Sequence, residues 1–182
     1  MEVTEIAPEP LVSGAELEPE GGYERVYRAE YRALVSLAFS LTGSMAVAED
    51  LVQEALLRLH KRWSRISMYD RPGAWLRRVV LNLATSRARR LAAEGRALAR
   101  LGRERRPEPA LAPGAAEFWD AVRKLPRRQA QVLALYYGED RPVSDVAAIL
   151  GCAEGTIRAH LHQGRRALAA RLGIDDGEDQ QP

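Results

Sequence analysis

One stretch constrains the fold more than any other: Pro142 to Leu172, PVSDVAAILGCAEGTIRAHLHQGRRALAARL. Val143, Val146, Ala147 and Leu150 recur at i, i+3, i+4 and i+7, which lines one face of a helix. Gly151 follows them, and glycine commonly ends a helix just past its last turn. Cys152 and Ala153 make the connection. A second helix is expected from about Glu154, burying Ile157, Leu161, Leu168 and Leu172. Arg158, Ala159, His162, Gln163 and Arg166 share its opposite face. Two helices joined in this way form a helix-turn-helix, whose second helix enters the DNA major groove. Arginine there reads guanine and glutamine reads adenine. The plainer alternative is a helical hairpin with a solvated basic face.

The charge distribution favours the nucleic-acid reading. The 182 residues hold 27 Lys and Arg against 25 Asp and Glu. Seven of the acids lie in residues 1–24, which have no basic residue, and four lie after Ile174. Residues 71–106 hold eleven arginines with only Glu94 and Glu104 as acids. A basic body between acidic ends suits a polyanion binder, although a soluble helical protein with a charged surface is the bland reading. The chain has no apolar run of membrane-spanning length and no signal-peptide core, so no membrane insertion and a cytoplasmic location are expected. With one cysteine, Cys152, neither an intramolecular disulfide nor a cysteine-rich zinc site can form.

The rest of the chain reads as further helices. Residues 1–22 are rich in Pro, Gly and Glu and are expected to be a disordered acidic tail. A helix is expected over 23–41, with Val26, Tyr27, Tyr31, Leu34, Leu37 and Leu41 along its stripe. Ser44 is suited to cap a second helix running to about Trp63, whose buried stripe is Val52, Leu56, Leu59 and Trp63. Asp50, Gln53 and Glu54 lie on that helix's other face. An acidic, amide-bearing patch suits a protein partner with arginines better than it suits DNA. Its alternative role is to complement the helix dipole.

A third helix is expected over about 74–91, with Trp75, Leu76, Val79, Val80 and Leu83 on its apolar side. Arg77, Arg78 and Arg87 belong to its polar side or end. Asn82 sits in mid-helix, where Asn is not preferred, which marks either a core hydrogen-bond network or a ligand contact. Residues 92–115 lose periodicity and gather Gly and Pro, as a flexible basic linker would. A short helix over 117–125 and one opened by Pro126 precede the helix-turn-helix, the latter with Ala130, Leu133 and Tyr137 inward. An acidic tail covers 174–182. The expected fold is all-α: two small helical domains, 23–91 and 116–173, joined by the linker.

No catalytic motif is present: there is no GxxxxGK[ST], GxSxG or HExxH. His60, His160 and His162 do not form a metal-ligand spacing. Binding without chemistry, cofactor or metal is therefore the expectation.

Three blocks, AEDLVQEALLRLHKRW, RPGAWLRRVVLNLATSRARR and LPRRQAQVLALYYGEDRPVSDVAAILGCAEGTIRAHLHQGRRAL, occur in order. Together they resemble bacterial RNA polymerase sigma factors of the extracytoplasmic-function (ECF) type, most like the actinobacterial sigma-E-like branch. The resemblance covers about residues 23–173. It implies a sigma region two domain, a sigma region four domain, and a role in promoter-specific transcription initiation. In region two, Asp50, Gln53 and Glu54 match the surface for the beta-prime clamp helices of core RNA polymerase. Asn82 falls on the asparagine that faces a flipped-out base of the minus-ten element, with Arg77, Arg78 and Arg87 beside it on the same helix. In region four, Arg158, His162, Gln163, Arg165 and Arg166 fall on or beside the surface that reads the minus-thirty-five element. The resemblance also implies a contact with the polymerase beta flap and leaves room for an anti-sigma factor. Pro142 replaces the usual Ser or Thr, and His160, His162 and Gln163 alter the recognition helix, so no promoter sequence carries over. A stand-alone helix-turn-helix regulator is the main rival; it leaves Asp50, Gln53 and Glu54 without a role. A magnesium-dependent nucleic-acid enzyme using Glu49, Asp50 and Glu54 lacks a converging third ligand.

Overall fold

The computed structural model describes residues 21–98 and 114–174. The expected acidic tails and most of the expected linker lie outside them. The described residues are helical, with no strand among them. Helix α1 spans Gly22–Thr42, α2 Met45–Lys61, α3 Trp63–Ile66 and α4 Pro72–Leu98. After the undescribed segment come α5, Ala115–Arg123, and α6, Arg127–Leu133, which runs into a π-helical turn over Ala134–Gly138. The helix-turn-helix is α7, Val143–Leu150, and α8, Glu154–Leu172.

Glycine ends these helices where the backbone needs it. Gly43 and Gly151 adopt the left-handed conformation, φ 67° and 68°, which costs other residues steric energy. Their N–H groups donate to Phe39 O and Ala147 O, both at 2.8 Å. Ser44 has the extended backbone of a cap, but its side chain makes no cap bond. The Thr42 hydroxyl occupies the junction instead, accepting from the Ser44 N–H at 3.5 Å. Helix α4 continues past the expected end near Leu91, because Ala92, Ala93, Glu94, Ala97 and Leu98 all favour helix. Gly95 lowers that preference without breaking it.

The π-helical turn corrects the phase of the sixth helix. The sequence period places Tyr137 inward, yet Tyr137 is 45% exposed and Leu135 is fully buried. A wider i→i+5 turn rotates the residues after it relative to an α-helix. In α8 the expected Ile157, Leu161 and Leu168 are buried. Gly164 is buried among them, and a Cβ there would stand 2.9 Å from Leu133 Cδ1, so α6 and α8 approach through the missing side chain.

Two apolar cores result. The first is made wholly by α1 to α4, around Leu34, Val52, Leu56, Leu59, Leu76 and Val80. The second is built by α5 to α8, around Val122, Leu133, Leu135, Val146 and Ile157, and it includes Leu37 of α1 and Leu81 of α4. The two halves therefore pack on each other, which local periodicity does not reveal.

Candidate nucleic-acid interface

Polar groups line the contact between the halves. Arg77, expected at a DNA surface, is only 2% exposed. Its Nε donates to Glu139 Oε2 at 2.5 Å and its Nη1 to Glu30 Oε2 at 2.7 Å and Gly73 O at 3.1 Å. Burial by itself lowers the Arg77 guanidinium, but the hydrogen bonds and charges of Glu139 and Glu30 outweigh it and hold it above its ordinary value. Gly73 makes this possible, since a Cβ there would lie 2.1 Å from Glu30 Oε1. Arg77 thus leaves the set of expected DNA contacts: its charge is consumed inside the fold.

Arg78 is exposed but not idle. It donates to Ile149 O at 2.7 Å and Ala148 O at 2.9 Å, the last carbonyls of α7. These are groups a helix end leaves without internal partners. Asn82 is exposed, and its Oδ1 accepts from Arg127 Nη2 at 3.1 Å. Gln131 is 2% exposed and donates from Nε2 to Thr85 Oγ1 at 3.2 Å and Leu81 O at 3.4 Å. Arg71 and Asp145 pair at 2.9 Å across the same seam. Arg123 reaches Ser40 O at 3.1 Å.

Asp50, Gln53 and Glu54 all face solvent on α2, opposite its buried Val52, Leu56 and Leu59. Glu54 pairs with Arg58 one turn on at 2.5 Å. A groove of about 360 Å³ between α2 and α4 brings Asp50, Glu54 and Arg58 together with Asn82, Arg87 and Arg90. Arg87 is half-buried there, with its Nε enclosed and unbonded. The acid-amide face and Asn82 therefore border one groove, although 32 positions separate Asp50 from Asn82.

On α8, Arg158, His162, Gln163, Arg165 and Arg166 are all exposed. Arg158 pairs with Glu154 at 2.7 Å. Gln163 Oε1 accepts from Gln129 Nε2 at 3.3 Å. Arg165 turns to the flank: its Nε donates to Tyr137 Oη at 2.8 Å, and its guanidinium lies 5.8 Å from the centres of both the Tyr136 and Tyr137 rings. Tyr137, Arg127 and Gln129 were not expected at this surface; nothing in their local spacing marks them. The loop before α4 exposes Met68 (83%) and Tyr69 (40%) beside Arg71 and Trp75. An exposed ring next to arginine is chemistry that stacks unpaired bases. The sequence signal was the apolar pair itself, Met68-Tyr69, inside a loop.

Among the described residues no group of His, Cys, Asp and Glu is arranged to hold a metal ion. No described helix is long and apolar enough to cross a membrane.

A helix-turn-helix with a basic outer face, packed on a second helical unit, is the architecture of a DNA-binding protein. Family comparison agrees: Sigma-70 region 2 matches residues 26–94 and Sigma-70 region 4 matches residues 115–168. The chain is 34% identical over 151 residues to the ECF RNA polymerase sigma factor EcfG of Rhodopseudomonas palustris, covering 81% of this chain and 83% of that one. It is 31% identical over 160 residues to the RNA polymerase sigma-E factor of Streptomyces coelicolor, covering 85% and 88%. The sigma factor RpoE of Bartonella quintana, solved with the anti-sigma factor NepR, superposes with a TM-score of 0.68 at 27% identity, covering 84% and 98%. The chain belongs to the ECF RNA polymerase sigma factors. It binds core RNA polymerase and directs promoter-specific transcription initiation.

Proposed function

We propose that this sigma factor divides its partners among three faces. Asp50, Gln53 and Glu54 on α2 meet the beta-prime clamp helices of core polymerase. Asn82 on α4, with Arg78 and Arg87, engages the minus-ten element, and the Met68–Tyr69 loop stacks its unpaired bases. Arg158, His162, Gln163 and Arg166 on α8 read the minus-thirty-five element, while Arg165 holds a phosphate from the flank. The region two unit covers about residues 23–91 and the region four unit about 116–173, the latter also meeting the beta flap. The Bartonella relative was solved with an anti-sigma factor, and a regulator of that class fits this chain.

The observation that carries the reading is the exposure of Asp50, Gln53 and Glu54 on one face of α2, away from its core stripe. Acidic side chains exposed together favour a basic protein partner through complementary charge. Replacing Asp50 and Glu54 together by Lys places like charge against that partner. Core-polymerase affinity should fall while the helical circular dichroism stays unchanged, since neither side chain enters the core. A folded double variant that binds core polymerase as well as the wild type would overturn the assignment.

A further inference from the structure

Arg165 sits in an aromatic shelf on the flank of α8. Its Nε donates to Tyr137 Oη at 2.8 Å. Its guanidinium lies 5.8 Å from the centres of both the Tyr136 and Tyr137 rings, within reach of a cation–π attraction. Those two rings stand edge to face, 5.0 Å apart. Phe118 of α5 meets Tyr137 edge to face at 6.0 Å and Trp119 at 4.9 Å, so the shelf is anchored to a second helix.

The π-helical turn builds this shelf. Leu135 is fully buried and Tyr137 is 45% exposed, although the α-helical period would turn Tyr137 inward. Gly138 closes the turn against α5: a Cβ there would stand 3.2 Å from Cη2 of Trp119. A large ring that faces water adds little to a core. Single π turns inside α-helices occur frequently at functional sites. What the outward ring gains here is Arg165.

An arginine on a helix surface ordinarily samples many rotamers, and ordering them costs binding free energy. Here a hydrogen bond and two rings hold the guanidinium before any partner arrives. Arg165 lies seven residues after Arg158, about two helical turns, so both stand along one edge of the reading face. His162, Gln163 and Arg166 are exposed beside them. A fixed planar cation at the edge of a recognition helix suits the oxygens of a DNA backbone phosphate.

We infer that Tyr137 is a positioning residue for DNA binding. It fixes Arg165 against a backbone phosphate beside the minus-thirty-five element, and the π-helical turn is the device that places it there. The inference rests on the assignment of Arg165 to a phosphate. It adds that the grip on that phosphate is set outside the helix-turn-helix, by a residue that reads no base.

The test uses holoenzyme assembled with the full chain, and duplex DNA carrying the upstream element of a promoter that the wild-type holoenzyme transcribes. Affinity is measured over a series of salt concentrations, and again with single backbone phosphates replaced by neutral methylphosphonate. Arg165→Ala should weaken binding about ten-fold and lower the salt slope by about 1. It should also lose the wild type's sensitivity to methylphosphonate at one position. Tyr137→Phe keeps the ring and removes the hydroxyl. It should weaken binding about three- to ten-fold, equally for all upstream sequences, and reduce the same methylphosphonate effect. Added to Arg165→Ala, it should change nothing further, because its effect passes through that arginine. Tyr137→Phe with wild-type affinity, or with an equal loss in the presence and absence of Arg165, would overturn the inference while leaving Arg165 on its phosphate. Arg165→Ala with wild-type affinity and slope would instead remove the phosphate assignment, and the inference with it. A loss of core-polymerase affinity in Tyr137→Phe, with holoenzyme binding to DNA unchanged, would make this flank a protein surface and equally overturn it.

Discussion

The two halves close their cores in different ways. The first, α1 to α4, surrounds its apolar cluster with its own residues. The second, α5 to α8, completes its cluster with Leu37 and Leu81 from the first. The same asymmetry appears at the surface. The acid-amide face of α2 is open to solvent, whereas Asn82 and Arg78 on α4 are engaged by the other half. A unit of about sixty residues buries a smaller fraction of its surface than a larger domain does and is marginal alone. Borrowing two leucines is a direct way to add to that core. The same interface ties α4 to the second half through the hydrogen bonds of Arg78 and Asn82.

Breaking the buried ion pair should have the largest effect. Arg77→Ala leaves Glu139 and Glu30 carboxylates without their common partner. Removing one member of a buried pair typically costs about 3–5 kcal/mol. Arg141 stays 3.2 Å from Glu139, so the loss should lie near ~3 kcal/mol at the low end of that range. Urea denaturation measures it, and a change below ~1 kcal/mol would show that the pair is not buried in solution.

Leu81→Ala sharpens the comparison of cores. It removes side-chain volume from a 1% exposed site, which costs about 2–5 kcal/mol depending on how far the site collapses. Because Leu81 belongs to the second core, the destabilisation should fall on α5 to α8. Amide exchange should accelerate there and change little in α2. Uniform acceleration through both halves would mean that the cores are one unit.

The smaller effects are functional. Asn82→Ala should lower initiation at a duplex promoter by the equivalent of about 1–3 kcal/mol, with binding to core polymerase preserved. Equal loss of both would make Asn82 a structural residue. At the other element, Gln163→Ala should alter preference at particular bases. Arg166→Ala should weaken all sequences alike and flatten the salt dependence. A library of upstream elements, bound by holoenzyme at two salt concentrations, separates these outcomes.

Much of this architecture is legible in the sequence because it is local. The stripes Val52, Leu56, Leu59 and Ile157, Leu161, Leu168 obey the helical period and are buried. Gly43 and Gly151 stop helices through a backbone conformation that glycine alone adopts freely. What is not legible is the pairing of distant faces. Leu81 interrupts the one-sided stripe of α4, and a helix apolar on two sides signals a second buried face without naming its partner. Arg77 reads as a surface cation because Glu30 and Glu139 lie 47 and 62 positions away. Gln131 reads as polar and exposed, yet Thr85 and Leu81 O satisfy its amide inside the protein. The π-helical turn changes the phase at Tyr137, which no α-helical period can anticipate. Of the expected site residues, Arg77 is buried and the others are exposed or half-buried, Asn82 included, for which a core position was the alternative. Their engagement across the seam is a tertiary fact.

In the free chain the α2 face of Asp50, Gln53 and Glu54 is open to solvent, while the two helical halves are packed on each other rather than set apart at a promoter's spacing. The most direct measurement compares, in one buffer, the affinity of the free chain for core polymerase, for duplex promoter DNA, and the affinity of the assembled holoenzyme for the same DNA. The account predicts tight binding to core polymerase, weak and sequence-indifferent binding of the free chain to DNA, and tight selective binding by the holoenzyme. A free chain that selects the full promoter as tightly as the holoenzyme does would contradict it.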